Sequence, residues 1–460
     1  MTQQKWTRRE TLKAAGAALA LPYLIPGRAL GLDKSSSPSE TIRVAIIGLG
    51  GRAHTIAGSC RDVPAIRIAA VCDCFAPRCG KFVKDVGEGQ KWAVYEDFRK
   101  MFDKEKLDAV MVETTTHARA WIAMFAMQAG LDAYIEKPMC LTIAEGRLMV
   151  QAARKWNRVT QVGTQQRSMP INNWASDLVK NGALGKIHTV LAPNFVGPDR
   201  WIDKPAEPLP EGAGPKFWDV WSNQAEVRPY NKRLQFGWDV WWDYDGGGRC
   251  FGVTGWGTHS YDQIQRALGT DETGPVQIVL EEPVKVMGTG KYAPELRGGD
   301  DTGTDYQGLS KPVVGPRAKV SMTYASGTVL NLHLDGDRGP GLGAIFIGDK
   351  GKLEINRNKL AANPKELLKL PDNPGPNRKG ENVYHIANWA ECIKTRARCT
   401  ADIEYGQRAT TLCYLVNIVR AIGKVGQPLQ WDPAAERFTN CDEANQLLSR
   451  PRRKGYELPG

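Results

Sequence analysis

The chain has 460 residues, too many for one small core and enough for two domains. Hydrophobic residues make up 42% of it and charged residues 24%, which excludes a disordered or fibrous chain. The net charge of +11 is scattered rather than gathered on one element, which excludes a nucleic-acid reader.

The first signal lies at the N-terminus. Thr7 to Lys13 reads TRRETLK, with Arg8 and Arg9 adjacent, and an apolar run from Ala14 to Ile25 follows. That run is too short to cross a bilayer and fits the core of a signal peptide. The pattern resembles the bacterial twin-arginine signal. Residues 1–34 are therefore expected to be signal and linker, read by the Tat export machinery, with a periplasmic or otherwise exported product. Such a product would carry its cofactor out already bound.

The next elements are expected to form a dinucleotide-binding domain over 41–163. Ile42 to Ile47 is an apolar, β-branched run that ends in Gly48-Leu49-Gly50-Gly51-Arg52-Ala53. Strand, then G-x-G-x-x-A, then a helix from about His54 is the arrangement that seats a pyrophosphate on a helix N-terminus. Gly48 makes the tight turn, Gly50 lets the backbone approach the phosphates, Ala53 lets the helix pack closely on the strand, and Gly51 and Arg52 are further candidate cofactor contacts. A second strand, Ile66 to Val71, leads to Asp73, placed to accept hydrogen bonds from the adenosine ribose. An acid there favours NAD over NADP. Strands at Leu107–Val112, Leu131–Ile135 and Val159–Val162 then alternate with helices at Ala118–Ala129 and Thr142–Trp156, which predicts a parallel sheet covered by helices. Two loops leave carboxyl ends of these strands, where ligands bind in open α/β sheets. One carries Thr115 and His117, and the other is Glu136-Lys137-Pro138. All four of Thr115, His117, Glu136 and Lys137 are candidate cofactor contacts.

Residues 164–460 are expected to form a second α/β domain that binds substrate. Gln165, Gln166 and Arg167 follow the last strand and suit sugar hydroxyls. A stretch rich in tryptophan, from Trp201 to Trp242, supplies Asn223, Arg228, Tyr230 and Trp241 as further candidates, because aromatic rings stack on sugar faces. Strand-like runs at Ala318–Tyr324, Val329–Leu334 and Ala344–Ile355 predict an open sheet, and helices at His385–Lys394 and Gln407–Ile422 are expected to return to the first domain. The densest basic run, Arg450 to Lys454, reads as a solvated tail. The ten cysteines include no CxxC pair, and no His stands near Cys72, Cys74 and Cys79, so they read as structural thiols and no metal is expected.

Taken together, GLGGRA, Asp73, Glu136-Lys137-Pro138 and Gly246 to Asp262 (GGGRCFGVTGWGTHSYD) resemble the glucose–fructose oxidoreductase, inositol dehydrogenase and rhizopine-catabolism (Gfo/Idh/MocA) family, and His385 to Glu436 resembles its exported bacterial members. The resemblance implies a Rossmann NAD(P)-binding domain followed by an α/β domain with a large open mixed sheet, through which such proteins form homo-oligomers. It implies hydride transfer between nicotinamide and a sugar, polyol or sugar derivative. It casts Lys137 as the residue that bonds the reacting hydroxyl, His259 as proton acceptor, and Asp262, three residues on, as a group that orients His259 or the substrate. One departure stands out. Many members place an aspartate four residues before the histidine, where this chain has Gly255, leaving Asp243 or Asp245 to replace it. Two rival readings follow: an NAD-dependent glycoside hydrolase working by transient sugar oxidation and elimination, and a non-catalytic, NAD-stabilised binding protein of the envelope.

Overall fold

The computed structural model describes residues 41–248, 251–287, 315–334, 340–357 and 359–460. The expected export signal lies outside the described residues. The chain builds two sheets in succession. The first comprises β1 (Ile42–Ile47), β2 (Ile66–Cys72), β3 (Ala93–Tyr95), β4 (Ala109–Val112), β5 (Asp132–Ile135) and β6 (Thr160–Val162), in the order β3-β2-β1-β4-β5-β6. Every pairing is parallel. Strands buried on both faces are largely apolar, which is why β4 reads as an unbroken hydrophobic run and β1 as one interrupted by Arg43 alone. Edge strand β3 has only three residues, none of them buried, and so left no such pattern.

Helices α1 (Gly51–Cys60), α2 (Ala76–Val86), α3 (Phe98–Lys104), α4 (Thr116–Gln128) and α5 (Ile143–Lys155) alternate with these strands. Helix α1 starts at Gly51, earlier than the expected His54, so the glycine turn runs directly into it. Thr142 caps α5, its hydroxyl accepting from the Glu145 N–H at 3.2 Å. The strand order reverses between β1 and β4, and the crevice above that point is where open parallel sheets hold ligands.

After α6 (Pro170–Lys180) come β7 (Ile187–Pro193), the short helices α7 (Phe217–Ser222) and α8 (Lys232–Phe236), α9 (Trp256–Leu268), and then the rest of the second sheet. It runs through β8 (Pro275–Leu280), β11 (Val320–Tyr324), β12 (Val329–Leu334), β13 (Ala344–Gly348), β14 (Gly351–Asn356), β15 (Lys359–Asn363), β16 (Leu429–Asp432) and β17 (Arg437–Phe438). A separate ribbon pairs β9 (Lys285–Met287) with β10 (Gly315–Arg317). The sheet has nine strands in the order β15-β14-β13-β7-β12-β11-β8-β16-β17, and it is mixed because β7 and β12 are parallel while their other neighbours are antiparallel. Burial alternates along β11 and β13, so one face packs on α6, α9 and the long helix near the C-terminus, and the other stays partly open.

Two C-terminal helices join the sheets. Helix α10 (Glu381–Thr395) inserts Ile386, Trp389 and Ala390 into the core that holds Ala53, Ile56 and Ala57 of α1. Helix α11 (Ile403–Ile422) gives Ile403 to the core of the first sheet and Leu412 to Val419 to that of the second. The nine described cysteines are free, and all but Cys74 are buried, as expected of structural thiols.

The tryptophan-rich stretch forms a core of its own. Trp218 and Trp221 stack at 4.5 Å and 9°, with Tyr230, Leu234 and Tyr244 around them. The basic run at the C-terminus corrects its expected role. Arg450 donates to Trp242 O at 2.6 Å, Arg452 pairs with Glu145, Arg453 donates to Asp219 at 2.8 Å, and the Tyr456 ring lies 5.1 Å from that of Trp121. It is a strap, not a solvated tail, because each guanidinium meets an acceptor supplied by a distant segment. Trp389 is fully buried between α10 and the first sheet. Its replacement by alanine leaves a cavity that α10 cannot close, and urea unfolding is expected to show a loss of about 3–5 kcal/mol.

Candidate active site

Gly48 sits at φ +87°, and a Cβ there would lie 2.8 Å from the Thr114 backbone, so only glycine makes this turn. At Gly50 a Cβ would meet nothing within 4 Å. No side chain caps α1 at that position. The N–H groups of the first turn therefore face open space at the positive end of a helix, which is the chemistry a diphosphate requires. Asp73 is buried at the end of β2. Its Oδ2 accepts from Leu49 N at 2.8 Å and its Oδ1 from Phe75 N at 2.9 Å, so it braces the turn it adjoins. Arg78 approaches the same carboxylate at 3.5 Å. Thr115 is the N-cap of α4 and makes no side-chain capping bond.

Arg52 points from α1 across the sheet edge. Its Nε donates to Glu136 Oε1 at 2.6 Å and its Nη2 to Asn382 Oδ1 at 2.9 Å. Glu136 Oε2 in turn accepts the Lys137 N–H at 2.6 Å. Gln165 Nε2 stands 3.3 Å from Glu136 Oε1. Gly163 leaves room for this carboxylate, since a Cβ there would lie 2.7 Å from Oε1.

Lys137 reaches over this cluster, and its Nζ donates to Gly255 O at 3.2 Å. Gly255 is the N-cap of α9, so the position expected to carry an acid instead offers a carbonyl to the lysine. Burial, helped by Arg119 and Arg52, pulls the Lys137 ammonium below its usual range against the pull of Glu136 and Asp245. His259 stands in the first turns of α9, is 6% exposed, and has no hydrogen-bond partner at Nδ1. Burial first, then the positive charges of Lys137, Arg357 and Arg52, push it well below the usual imidazole range. It is a neutral ring facing cations. Asp245 is the acid that joins them. It is fully buried, accepts from Thr254 Oγ1 at 2.6 Å, and feels both Arg119 and Lys137, while burial raises its pKa. The alternative, Asp243, is bound to Arg228 at 2.8 Å.

Known proteins match both halves of this arrangement. Residues 42–164 match the Gfo/Idh/MocA oxidoreductase family, NAD-binding Rossmann fold, and residues 176–290 and 303–458 match its C-terminal alpha/beta domain. The chain belongs to this family. It is 29% identical over 157 residues to the D-apiose dehydrogenase of Paraburkholderia graminis, covering 34% of this chain and 40% of that protein. It is 26% identical over 155 residues to a glycosyl hydrolase family 109 protein of Porphyromonas gingivalis, covering 32% and 31%. The chain thus spans less than half the length of the curated relatives it matches. The crystal structure of an oxidoreductase from Agrobacterium radiobacter, solved with NAD+, L-tartaric acid and magnesium, superposes with a TM-score of 0.55 at 14% identity, covering 85% of this chain and 98% of that one. That likeness is one of fold: a parallel Rossmann sheet followed by an open mixed sheet.

Within this Gfo/Idh/MocA frame several expected contacts are corrected. His117 is fully buried, its Nε2 2.7 Å from Trp221 O and its ring against Trp221 and Tyr244, so it anchors the tryptophan core instead of a cofactor. Burial lowers it to about 4, which keeps it neutral. Arg167 donates from Nε to Asp262 Oδ1 at 2.7 Å and from Nη2 to Asp271 Oδ1 at 2.6 Å, with Arg167 and Asp262 both buried. Asp262 therefore neutralises Arg167 and does not orient His259, and neither residue is open to a sugar. Tyr230 donates to Gln235 at 2.7 Å inside the tryptophan core, Asn223 is buried there, and Trp241 Nε1 is taken by Arg233 O at 3.2 Å. Gln166 Nε2 is taken by Leu342 O at 2.9 Å. Gln165 alone of these polar candidates adjoins the Glu136–Lys137 cluster. Two residues of the edge were not singled out from the sequence: Glu113, an acid directly after β4, and Arg119, which donates to Thr116 Oγ1 at 2.8 Å and Pro138 O at 2.7 Å. Replacing Arg167 by methionine strips the partner from two acids. Thermal unfolding is expected to show a loss of about 3–5 kcal/mol, with the KM of any accepted sugar unchanged.

Proposed function

We propose that this protein is an NAD-dependent oxidoreductase that moves a hydride between nicotinamide and a carbon of a sugar, polyol or sugar derivative. The observation that carries the reading is the convergence of Lys137, His259 and Asp245 at the carboxyl edge of the parallel sheet, beside an uncapped glycine turn. The residues fit the cofactor: Gly48 makes the turn, Gly50 leaves room for the diphosphate, and Asp73 supplies the acid beside the ribose end. When bound, the nicotinamide serves as hydride acceptor.

The chain's own residues manage the proton. The neutral His259 ring accepts it from the substrate hydroxyl as the carbon gives up its hydride. Lys137, held by the Gly255 carbonyl, presents its remaining N–H bonds to the same oxygen and stabilises the charge that develops on it. Asp245 lies within electrostatic reach of the lysine and supplies the acidic group lacking at 255. Arg119 and Arg52 keep the lysine from holding its proton too tightly.

A second reading draws on one observation, the carbonyl at Gly255 in place of an acid, and on the family 109 glycosyl hydrolase among the relatives. In that reading transient oxidation leads to elimination across a glycosidic bond, and the net reaction is hydrolysis. Free sugar released from an aryl glycoside without net NADH would favour it. Retained dinucleotide with no turnover of any sugar would favour a binding protein of the envelope. The Arg8-Arg9 motif supports export through the Tat machinery, and the half-open face of the second sheet, with Leu191, Val279, Ile345 and Ile347, suits a homo-oligomer contact.

Substituting Lys137 with methionine is expected to lower kcat by about 10²–10⁴-fold, while NADH titration by fluorescence stays within about twofold of the parent. His259 accepts a proton only while neutral, and its pKa is depressed. The rate of sugar oxidation is therefore expected to hold as pH falls through the ordinary imidazole value of about 6.5 and to drop only below it. A rate that halves near 6.5 would remove His259 from this role.

A further inference from the structure

Glu113 follows β4 directly. Its N–H donates to Ile47 O at 2.8 Å, which places it beside the last residue of β1 before the glycine turn. Along β4 the side chains of Ala109 and Met111 pack on the α1 side of the sheet and those of Val110 and Val112 on the other. Glu113 continues the alternation on the α1 side. It is 6% exposed, both of its carboxyl oxygens are buried, and neither has a hydrogen-bond partner. A carboxyl group left so costs free energy unless it keeps its proton or meets a partner that arrives later.

The groups facing it explain why the protein itself supplies no partner. Arg52 and Cys60 face it from α1, Tyr134 and Glu136 from β5 and its end, and Arg119 from α4. The guanidinium of Arg52 bonds Glu136 and Asn382, and Arg119 turns its Nη1 to Thr116 and Pro138, so neither bonds the Glu113 carboxyl. Burial, then the Glu136 carboxylate, push the Glu113 acid up to about 8. Two acids side by side are thus driven apart, one ionised on arginine and the other protonated. A protonated carboxyl is a hydrogen-bond donor as well as an acceptor.

We propose that Glu113 is a further cofactor-binding residue: a neutral carboxyl at the floor of the glycine turn that donates its O–H to an acceptor oxygen of the bound dinucleotide. The inference rests on the reading of this edge as a dinucleotide site. Its consequence is a pH dependence of cofactor occupancy. Loss of the proton removes the donor and sets a second negative charge beside Glu136, under an anionic ligand.

The test is a titration of the full chain with NADH, followed by fluorescence, and with ADP-ribose as competitor, from pH 6.5 to 9. The parent is expected to lose about tenfold in affinity between pH 7 and 9, since only the protonated fraction binds. Glu113→Gln keeps a donor and cannot ionise, so it is expected to bind within about threefold of the parent at pH 7 and to lose no affinity at pH 9. Glu113→Ala is expected to bind more weakly at pH 7 with an equally flat profile. The melting temperature of Glu113→Gln at pH 8 is expected to equal or exceed that of the parent, because it spares the buried acid its ionisation. A flat profile in the parent, or a Glu113→Ala variant that binds as tightly as the parent, overturns the proposal and leaves the dinucleotide site standing. A parent that binds neither NADH nor ADP-ribose overturns both.

Discussion

The bond from Arg52 to Glu136, 2.6 Å long with the carboxylate 3% exposed, is the constraint around which the cleft is arranged. It joins the first turn of α1 to the loop after β5, and through Asn382 it also holds α10. Glu136 could not be buried there alone, because an unpaired carboxylate in such a place would take up a proton. Once paired, its second oxygen receives the Lys137 N–H and fixes the backbone of that residue. The glycine turn, the lysine and the returning helix are thereby set against one another by a single guanidinium. That arrangement uses Arg52 for positioning and leaves a diphosphate to the backbone N–H groups at the start of α1.

The same burial that makes this pair necessary sets the protonation of its neighbours. Lys137, Arg52, Arg119 and Arg357 bring positive charge to a water-poor edge, and the acids facing them are not all ionised: burial raises Asp245 and Glu113. The outcome is a region that disfavours further protons on its bases. His259 and Lys137 both lie below their ordinary ranges, so the ring is held neutral and the ammonium gives up its proton more readily than a free lysine.

The first sheet was legible because its strands are buried on both faces and cannot hide their character, and the glycine turn because φ +87° beside Thr114 admits one residue type. Lys137 and His259 were singled out only through a family pattern, since a lysine after a strand has no local mark of burial. Arg167 and Asp262 misled for a physical reason. A polar side chain that waits for a sugar and one that neutralises a partner 95 residues away look alike in sequence. Tyr230, Trp241 and His117 failed in the same way, since an aromatic cluster packs on itself before it packs on a ligand. The basic strap is the mirror case: its acceptors, Asp219, Trp242 and Glu145, lie more than 200 residues upstream, and a local charge count cannot see them.

The exchange of an acid for Gly255 shows how the two sheets divide the work. A side chain at the N-cap of α9 would be carried by the same helix as His259 and would move with it. Asp245 comes from the loop that closes the tryptophan segment, and it is steadied by Thr254 beside α9 and by Thr116 at the start of α4. The acid near Lys137 therefore belongs to neither sheet alone. Its position depends on the packing of the tryptophan core, which His117 pins to α4 and the C-terminal strap pins to α5 through Glu145. The aromatic segment thus governs the charge next to the lysine through what it holds in place.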